Sequence, residues 1–324
     1  MKAIVYRAYG GPEVLRCEEV PQPVPGDDQV LVRVRAAAVN PMDYHLMSGF
    51  WLMRPMTGFL RPKPTRAGAD FAGEVEAVGK SVTRFKPGDP VFGAARGAFA
   101  EYLCAAPERL AVKPARVTFE QAAGIAVAGT TALQHLRDQG QVQPGQKVLV
   151  TGASGGVGSF AVQIAKAYGA EVTALCSTRN IELVRSIGAD HVIDYTREDF
   201  TRGAITYDLI FDAVGSRPLS ACRRVLTRNG TFLAVGVRPG GRLVGPLPHL
   251  LKVFVSRPFV SQKVAIHMAR INSEDLTALA RLIEANQVTP VVDRVYPLSE
   301  VSEALRRAKE GHPSGKVVVR IRET

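Results

Sequence analysis

KVLVTGASGGVGSFAVQIAKAYGAEVTALCSTRNIELVRSIGADHVID, from Lys147 to Asp194, decides the fold. It opens with an apolar run, Val148 to Val150, breaks into small residues, and then repeats Val157, Val162, Ile164 and Ala165 at roughly helical spacing as far as Gly169. That pattern is a strand, a tight turn and a helix. Gly152, Gly155 and Gly158 form GxxGxxG, a variant of the dinucleotide-binding fingerprint. The chemistry needs a sharp turn, a backbone bare enough for a pyrophosphate to approach, and a helix N-terminus whose free N–H groups face the anion. Ser154, Gly155, Gly156 and Val157 are the residues this reading sets against the cofactor. A second strand, Glu171 to Cys176, follows the helix and supplies the context that a lone glycine-rich turn lacks. The bland alternative is a turn that serves the fold alone.

The end of the second strand selects the cofactor. NAD-binding proteins carry an Asp or Glu there, about 20 residues past the last glycine, to hold the ribose hydroxyls. This chain has Ser177, Thr178, Arg179 and Asn180. With no acid in that run to repel a 2′-phosphate, and with the Arg179 guanidinium and the Ser177 hydroxyl able to bond one, the expectation is NADPH over NADH. Arg179 as a solvated charge opening the next helix is the competing reading.

Composition bounds the rest. The 324 residues suffice for two domains with separate cores, and 46% hydrophobic with 22% charged residues is ordinary for a globular chain. The net charge of +11 raises nucleic-acid binding, but the basic residues are scattered and not interleaved with stacking aromatics. A basic surface that attracts an anionic cofactor is the simpler account, and nucleic acid is disfavoured. Cys17, Cys104, Cys176 and Cys222 are far apart with no CxxC, which fits a reducing compartment and argues against a zinc cluster. With no signal-like start and no run approaching a membrane span, the expected location is cytoplasmic.

Residues Met1 to about Pro114 alternate β-forming stretches with Gly and Pro breaks, as in a small barrel. The runs NPMDYHLMSG (Asn40 to Gly49), GADFAGEVEAVG (Gly68 to Gly79), FKPGDPVFG (Phe85 to Gly93), AFAEY (Ala98 to Tyr102), AGTTAL (Ala128 to Leu133), TGASGGVG and GKVVVRI (Gly315 to Ile321) occur in that order. In this order the chain resembles the medium-chain dehydrogenase/reductase superfamily, and within it the zinc-free quinone oxidoreductase branch, similar to zeta-crystallin and the alkenal/enone reductases. The resemblance implies an α/β fold, a doubly wound Rossmann parallel sheet plus a GroES-like β-barrel domain. The expected division is residues 1–118 and 271–324 for the GroES-like part and 119–270 for the nucleotide-binding part.

The resemblance also implies an activity. Zinc alcohol dehydrogenases of this superfamily draw catalytic metal ligands from a Cys and a Gly-His-Glu triplet; the matching positions here are Asn40 and Gly68-Ala69-Asp70. An amide and a methyl group cannot complete such a ligand set, so no metal is expected and reduction of an electrophilic acceptor is favoured over alcohol oxidation. The implied reaction is hydride transfer from NADPH to an apolar α,β-unsaturated carbonyl or a quinone. Asn40 is the expected polar contact near the reacting centre and Tyr44 a pocket wall, although Asn40 before Pro41 also suits a turn and Tyr44 also suits packing. Gly215 and Gly236 end apolar strands at the carboxyl edge of the sheet, where the absence of side chains leaves room for a nicotinamide ring; by resemblance Thr130 contacts the nicotinamide side, and Val214, Gly215, Val235 and Val237 line the ring. Tyr195 resembles a contact to the adenosine phosphate end, and Lys316 a late contact to the cofactor. The long apolar connector after Gly49, with Trp51, Met53 and Met56, is a candidate cap over the substrate. Relatives imply a homodimer. Two rival functions remain open at this stage: a non-catalytic NADPH-binding module with an RNA or protein partner, and a secondary alcohol dehydrogenase.

Overall fold

The computed structural model describes residues 1–49, 54, 58–63, 65–236, 261–310 and 313–321. The chain divides into two compact units, Met1–Thr130 with Ile271–Ala285 and Pro290–Thr324, and Thr131–Arg270 with Asn286–Thr289.

In the first unit the chain runs through β1 (Lys2–Tyr6), β2 (Leu15–Glu19), β3 (Val30–Ala38), α1 (Pro41–Met47), β4 (Thr65–Arg66), β5 (Asp70–Val78), β6 (Pro90–Ala94), β7 (Tyr102–Ala105), β8 (Leu110–Val112), α2 (Phe119–Ala123) and the start of α3 (Ala126–Gln134). Period-two alternation explains the central strand β3: Val32 and Val34 are buried while Arg33 and Arg35 turn outward onto Glu74 of β5, at 3.1 and 3.0 Å.

The second unit holds β9 (Lys147–Thr151), α4 (Gly156–Ala167), β10 (Glu171–Cys176), α5 (Ile181–Ser186), β11 (His191–Asp194), β12 (Tyr207–Asp212), α6 (Leu219–Cys222), β13 (Leu226–Ala234) and β14 (Lys263–Ile266). All its strand pairs are parallel and the order is β11-β10-β9-β12-β13-β14. Counted from β9, that is the 3-2-1-4-5-6 order of a Rossmann sheet, as the glycine turn implies. A strand covered on both faces reads as a continuous apolar run; Val148, Leu149 and Val150 are all fully buried. Leu149, Ile210, Phe232 and Val264 anchor one core cluster beneath this sheet.

The chain returns to the first unit with α7 (Ser273–Glu284), β15 (Val292–Pro297), α8 (Val301–Glu310) and β16 (Lys316–Arg320). Asn272 caps α7 by accepting the Asp275 N–H at 2.8 Å. β15 and β16 complete a seven-stranded sheet of order β15-β16-β3-β5-β6-β8, with β7 paired to β3; a second sheet, β2-β1-β4, is stitched to the same unit by Ile4 N–H to Phe99 O at 2.8 Å and Glu101 N–H to Lys2 O at 3.0 Å. Both sheets close over one core that includes Ile4, Val32, Phe71, Phe99 and Val319. Each fully buried Phe there contributes on the order of 2–3 kcal/mol by its transfer from water.

Candidate functional site

The nucleotide side is built by the turn between β9 and α4. Gly152 has φ +61°, and a Cβ on it would lie 2.5 Å from the Val214 side chain, so the turn demands glycine. A Cβ on Gly158 would lie 2.0 Å from Gly152 O, which is the close approach of helix to turn that the third glycine allows. Gly155 is different: a Cβ there would meet only Gly152 O, at 3.3 Å. Two glycines are consumed by the fold, whereas the middle one leaves the first turn of α4 bare, as an approaching pyrophosphate requires.

At the end of β10 the expected serine and arginine are joined by residues that sequence reading passed over. Asn180 is 5% exposed and its Nδ2 donates to Ser154 Oγ at 2.9 Å and to Ser177 Oγ at 3.4 Å. Arg179 is exposed in the turn Thr178–Asn180. The run Ser177 to Asn180 contains no acid, yet parallel pairing sets Asp194, at the end of β11, beside Cys176. Its carboxylate accepts from the Thr178 hydroxyl at 2.5 Å, the Thr196 N–H at 3.0 Å and the Thr196 hydroxyl at 2.7 Å, with Arg197 Nε at 3.6 Å. The Thr178 hydroxyl, then the other bonds to Thr196, hold this carboxyl below its ordinary range. Tyr195 follows Asp194 with its ring about half exposed, and its N–H bonds to Cys176 O at 3.1 Å.

The far strands end in a second turn organised by Asp212, a residue with no motif to announce it. Its buried carboxylate accepts from the Thr151 hydroxyl at 2.6 Å and from the N–H groups of Val214 at 3.3 Å and Gly215 at 2.9 Å. Gly215 has φ +67°. Gly236 is equally constrained, since its Cβ would lie 1.9 Å from Ala213 O. Val214 is 46% exposed and Val235 is half-buried. Val237, and the cap residues Trp51, Met53 and Met56, lie outside the described residues.

The first unit holds a different kind of cluster. Pro41 at the first position of α1 follows Asn40, whose N–H donates to the Asp43 carboxylate at 2.8 Å. Lys316, arriving on β16, is 4% exposed; its ammonium donates to Asn40 Oδ1 at 2.7 Å and pairs with Asp70 Oδ2 at 3.4 Å. Asp70 Oδ1 accepts the Val127 N–H at 3.0 Å, which ties the first turn of α3 into the same network. Burial pushes the Asp43 carboxyl up to about 7; the Asn40 N–H opposes this, the neighbouring Asp70 charge adds to it, and Lys316 opposes it. Burial also raises Asp70 against the pull of Lys316. Thr130, on α3, is fully buried and its Oγ1 has no hydrogen-bond partner among the described residues.

These contacts place three of the expected site residues. Lys316, expected as a cofactor contact, spends its ammonium on Asn40 and Asp70. The Asn40 amide, expected as the polar contact near the reacting centre, is 3% exposed; it receives Lys316 on Oδ1 and turns Nδ2 towards Ala38 O at 3.4 Å. Tyr44, expected as a pocket wall, packs partly buried against the core with Lys309 Nζ 4.3 Å from its ring centroid. Its ring is occupied by packing and a cation–π contact.

Comparison with known proteins bears on both units. Residues 26–116 match the family described as an alcohol dehydrogenase GroES-like domain, and residues 187–319 match that described as a zinc-binding dehydrogenase. The chain is 33% identical to quinone-oxidoreductase QR1, chloroplastic, of Triphysaria versicolor, with 98% of each protein covered. The chain belongs to the medium-chain dehydrogenase/reductase superfamily. Within that superfamily it is 36% identical to an NADPH-dependent alkenal/one oxidoreductase, chloroplastic, of Arabidopsis thaliana, over 98% of this chain and 79% of the relative. The structure of Escherichia coli quinone oxidoreductase complexed with NADPH superposes with a TM-score of 0.84 at 26% identity, covering 99% of this chain and 100% of that one. The GroES-like unit and the Rossmann-type sheet are therefore those of a medium-chain dehydrogenase/reductase.

Proposed function

We propose that this chain is an NADPH-dependent oxidoreductase that delivers a hydride to a quinone or an α,β-unsaturated carbonyl without a metal. The observation that carries the reading is the donor set at the glycine turn. Ser154 and Ser177 offer hydroxyls beside the bare first turn of α4, and Arg179 offers an exposed cation at the same strand end. Hydrogen-bond donors and a guanidinium suit a pyrophosphate and a 2′-phosphate, which only accept. The acceptor class rests on the relatives, named as quinone oxidoreductase and alkenal/one oxidoreductase.

Bound in that cradle, a reduced nicotinamide supplies the hydride. The chain's own residues bind and orient it. Gly155, Gly156 and Val157 take the pyrophosphate; Ser154, Ser177, Arg179 and Tyr195 take the adenosine phosphate end. Val214, Gly215, Val235 and Gly236 are proposed to border the ring, held by the Asp212 carboxylate through the Val214 and Gly215 N–H groups. Thr130, with its orphan hydroxyl, is proposed as a further cofactor contact.

The metal-free part of the reading rests on donor chemistry. Asn40, Ala69 and Asp70 offer an amide, a methyl and a carboxylate already ion-paired with Lys316, which is not a ligand set for a catalytic cation. A homodimer is proposed through β14, an edge strand of the parallel sheet among the described residues. Four free cysteines suit a reducing compartment, for which we propose the cytoplasm, although the named relatives are chloroplastic. No helix among the described residues is long and apolar enough to cross a membrane.

The test is loss of reduced-nicotinamide absorbance with chelator-treated protein, comparing NADPH with NADH against a small quinone, an enone and a simple ketone. Selective NADPH turnover of the quinone or enone is expected, and Arg179→Ala should lower the NADPH-to-NADH affinity ratio about tenfold or more. Tight NADPH binding without turnover of either acceptor, or an unchanged affinity ratio, would sink the corresponding half of the reading.

A further inference from the structure

The Asn180 amide bridges two parts of the nucleotide site that sequence separates. Ser154 lies in the turn after β9 and Ser177 at the end of β10, and Asn180 Nδ2 donates to both, at 2.9 and 3.4 Å. Asn180 and Ser154 are nine-tenths buried or more. A serine hydroxyl has one hydrogen to give and two lone pairs to receive with. Because Asn180 takes up lone pairs on both oxygens, each hydroxyl hydrogen stays available, and none has a protein acceptor among the described residues. The carboxylate that could compete for them, Asp194, is already bonded by Thr178 and Thr196. The site therefore leaves two hydroxyl donors unspent and keeps the Asp194 carboxylate occupied.

We propose that Asn180 is a positioning residue for cofactor choice: it holds Ser154 and Ser177 as hydrogen-bond donors and so favours a ligand carrying a 2′-phosphate. The inference rests on the NADPH reading above and adds a residue that reading does not use. A ribose hydroxyl both gives and receives, so it gains less than a phosphate from a site of fixed donors. Asn180 acts through the serines, and its loss should register as lost selectivity between two cofactors that differ only by that phosphate.

The experiment is calorimetric titration of the full chain with NADPH and with NADH, read as dissociation constants and independent of turnover. Asn180→Ala should weaken NADPH about tenfold and NADH several-fold less. Asn180→Asp can only accept, so it draws both hydroxyl hydrogens inward and adds a negative charge; NADPH affinity should fall about a hundredfold and NADH affinity much less. Ser177→Ala should cost NADPH binding in the native background and almost nothing once Asn180→Ala is present. Additive losses in that cycle, or a native NADPH-to-NADH ratio in Asn180→Asp, overturn the proposal. Should the Asn180 variants fail to fold, Ser154→Ala and Ser177→Ala decide it: NADPH affinity unchanged in both overturns it, and a selective loss supports it. A native chain that binds neither nucleotide overturns the cofactor reading as well, whereas selective native binding with an additive cycle overturns the role of Asn180 alone.

Discussion

The two polar clusters of this molecule are built from similar groups and spend them in opposite ways. Around Lys316 every strong group faces another group of the chain: ammonium to amide and carboxylate, amide N–H to Asp43, Asp70 to Val127. Around Asn180 the amide also bonds inward, but it does so on the lone pairs of two serines and leaves their hydrogens unspent. The first cluster is closed and charged, the second open and neutral. A buried ion pair is costly to desolvate and is kept only when its partners are complete, so it serves to lock elements together. Unspent donors beside a glycine turn become valuable when an anion arrives.

The contrast can be broken most forcefully at its charged end. Lys316→Met leaves Asp70 and the Asn40 carbonyl buried without their cation and should destabilise the first unit by about 3–5 kcal/mol in chemical denaturation, with part regained by adding Asp70→Asn. A loss below about 1 kcal/mol would mean that the cluster is not closed. The next effect belongs to Asp43. Its carboxyl sits at about 7 in the folded chain against an ordinary 3.8. The folded chain therefore holds this proton longer than the unfolded one; the stabilisation is full below about pH 4 and is lost as pH rises through about 7, by on the order of 4 kcal/mol. Asp43→Asn should flatten that part of the stability profile between pH 4 and 7. An identical slope in both proteins would assign the titration elsewhere. The smallest effect is predicted at Tyr44, where Phe preserves the packing and the Lys309 contact. Stability should change by about 0.5 kcal/mol or less, and NADPH oxidation by no more than about twofold. A large fall in turnover, or a lost solvent isotope effect, would restore Tyr44 to the chemistry and blur the line between the clusters.

How much was legible can be judged from particular residues. The β9–α4–β10 unit was readable because glycine spacing and apolar periodicity are local, and the order of motifs carried the superfamily. Gly215 and Gly236 were legible at their strand ends, but Asp212, which fixes the turn after β12, was not. An Asp at the end of an apolar strand has no pattern to distinguish it. Asn180 sat inside the run used to infer the cofactor and was passed over, since its partner Ser154 lies 26 residues away. Asp194 was missed as a neighbour of the phosphate end for the same reason: parallel pairing delivers it from the next strand.

The sequence alone determined the superfamily, through the order of its motifs, and the parallel sheet and the place of the glycine turn, which are encoded in residues close together along the chain. Only the tertiary structure decided what the polar side chains do once they arrive. Lys316 meets Asn40 across 276 residues, and that meeting joins two expected site residues in one buried pair. Hydrogen bonding and charge pairing depend on distances of about 3 Å, and such distances between remote residues exist only after the chain has folded.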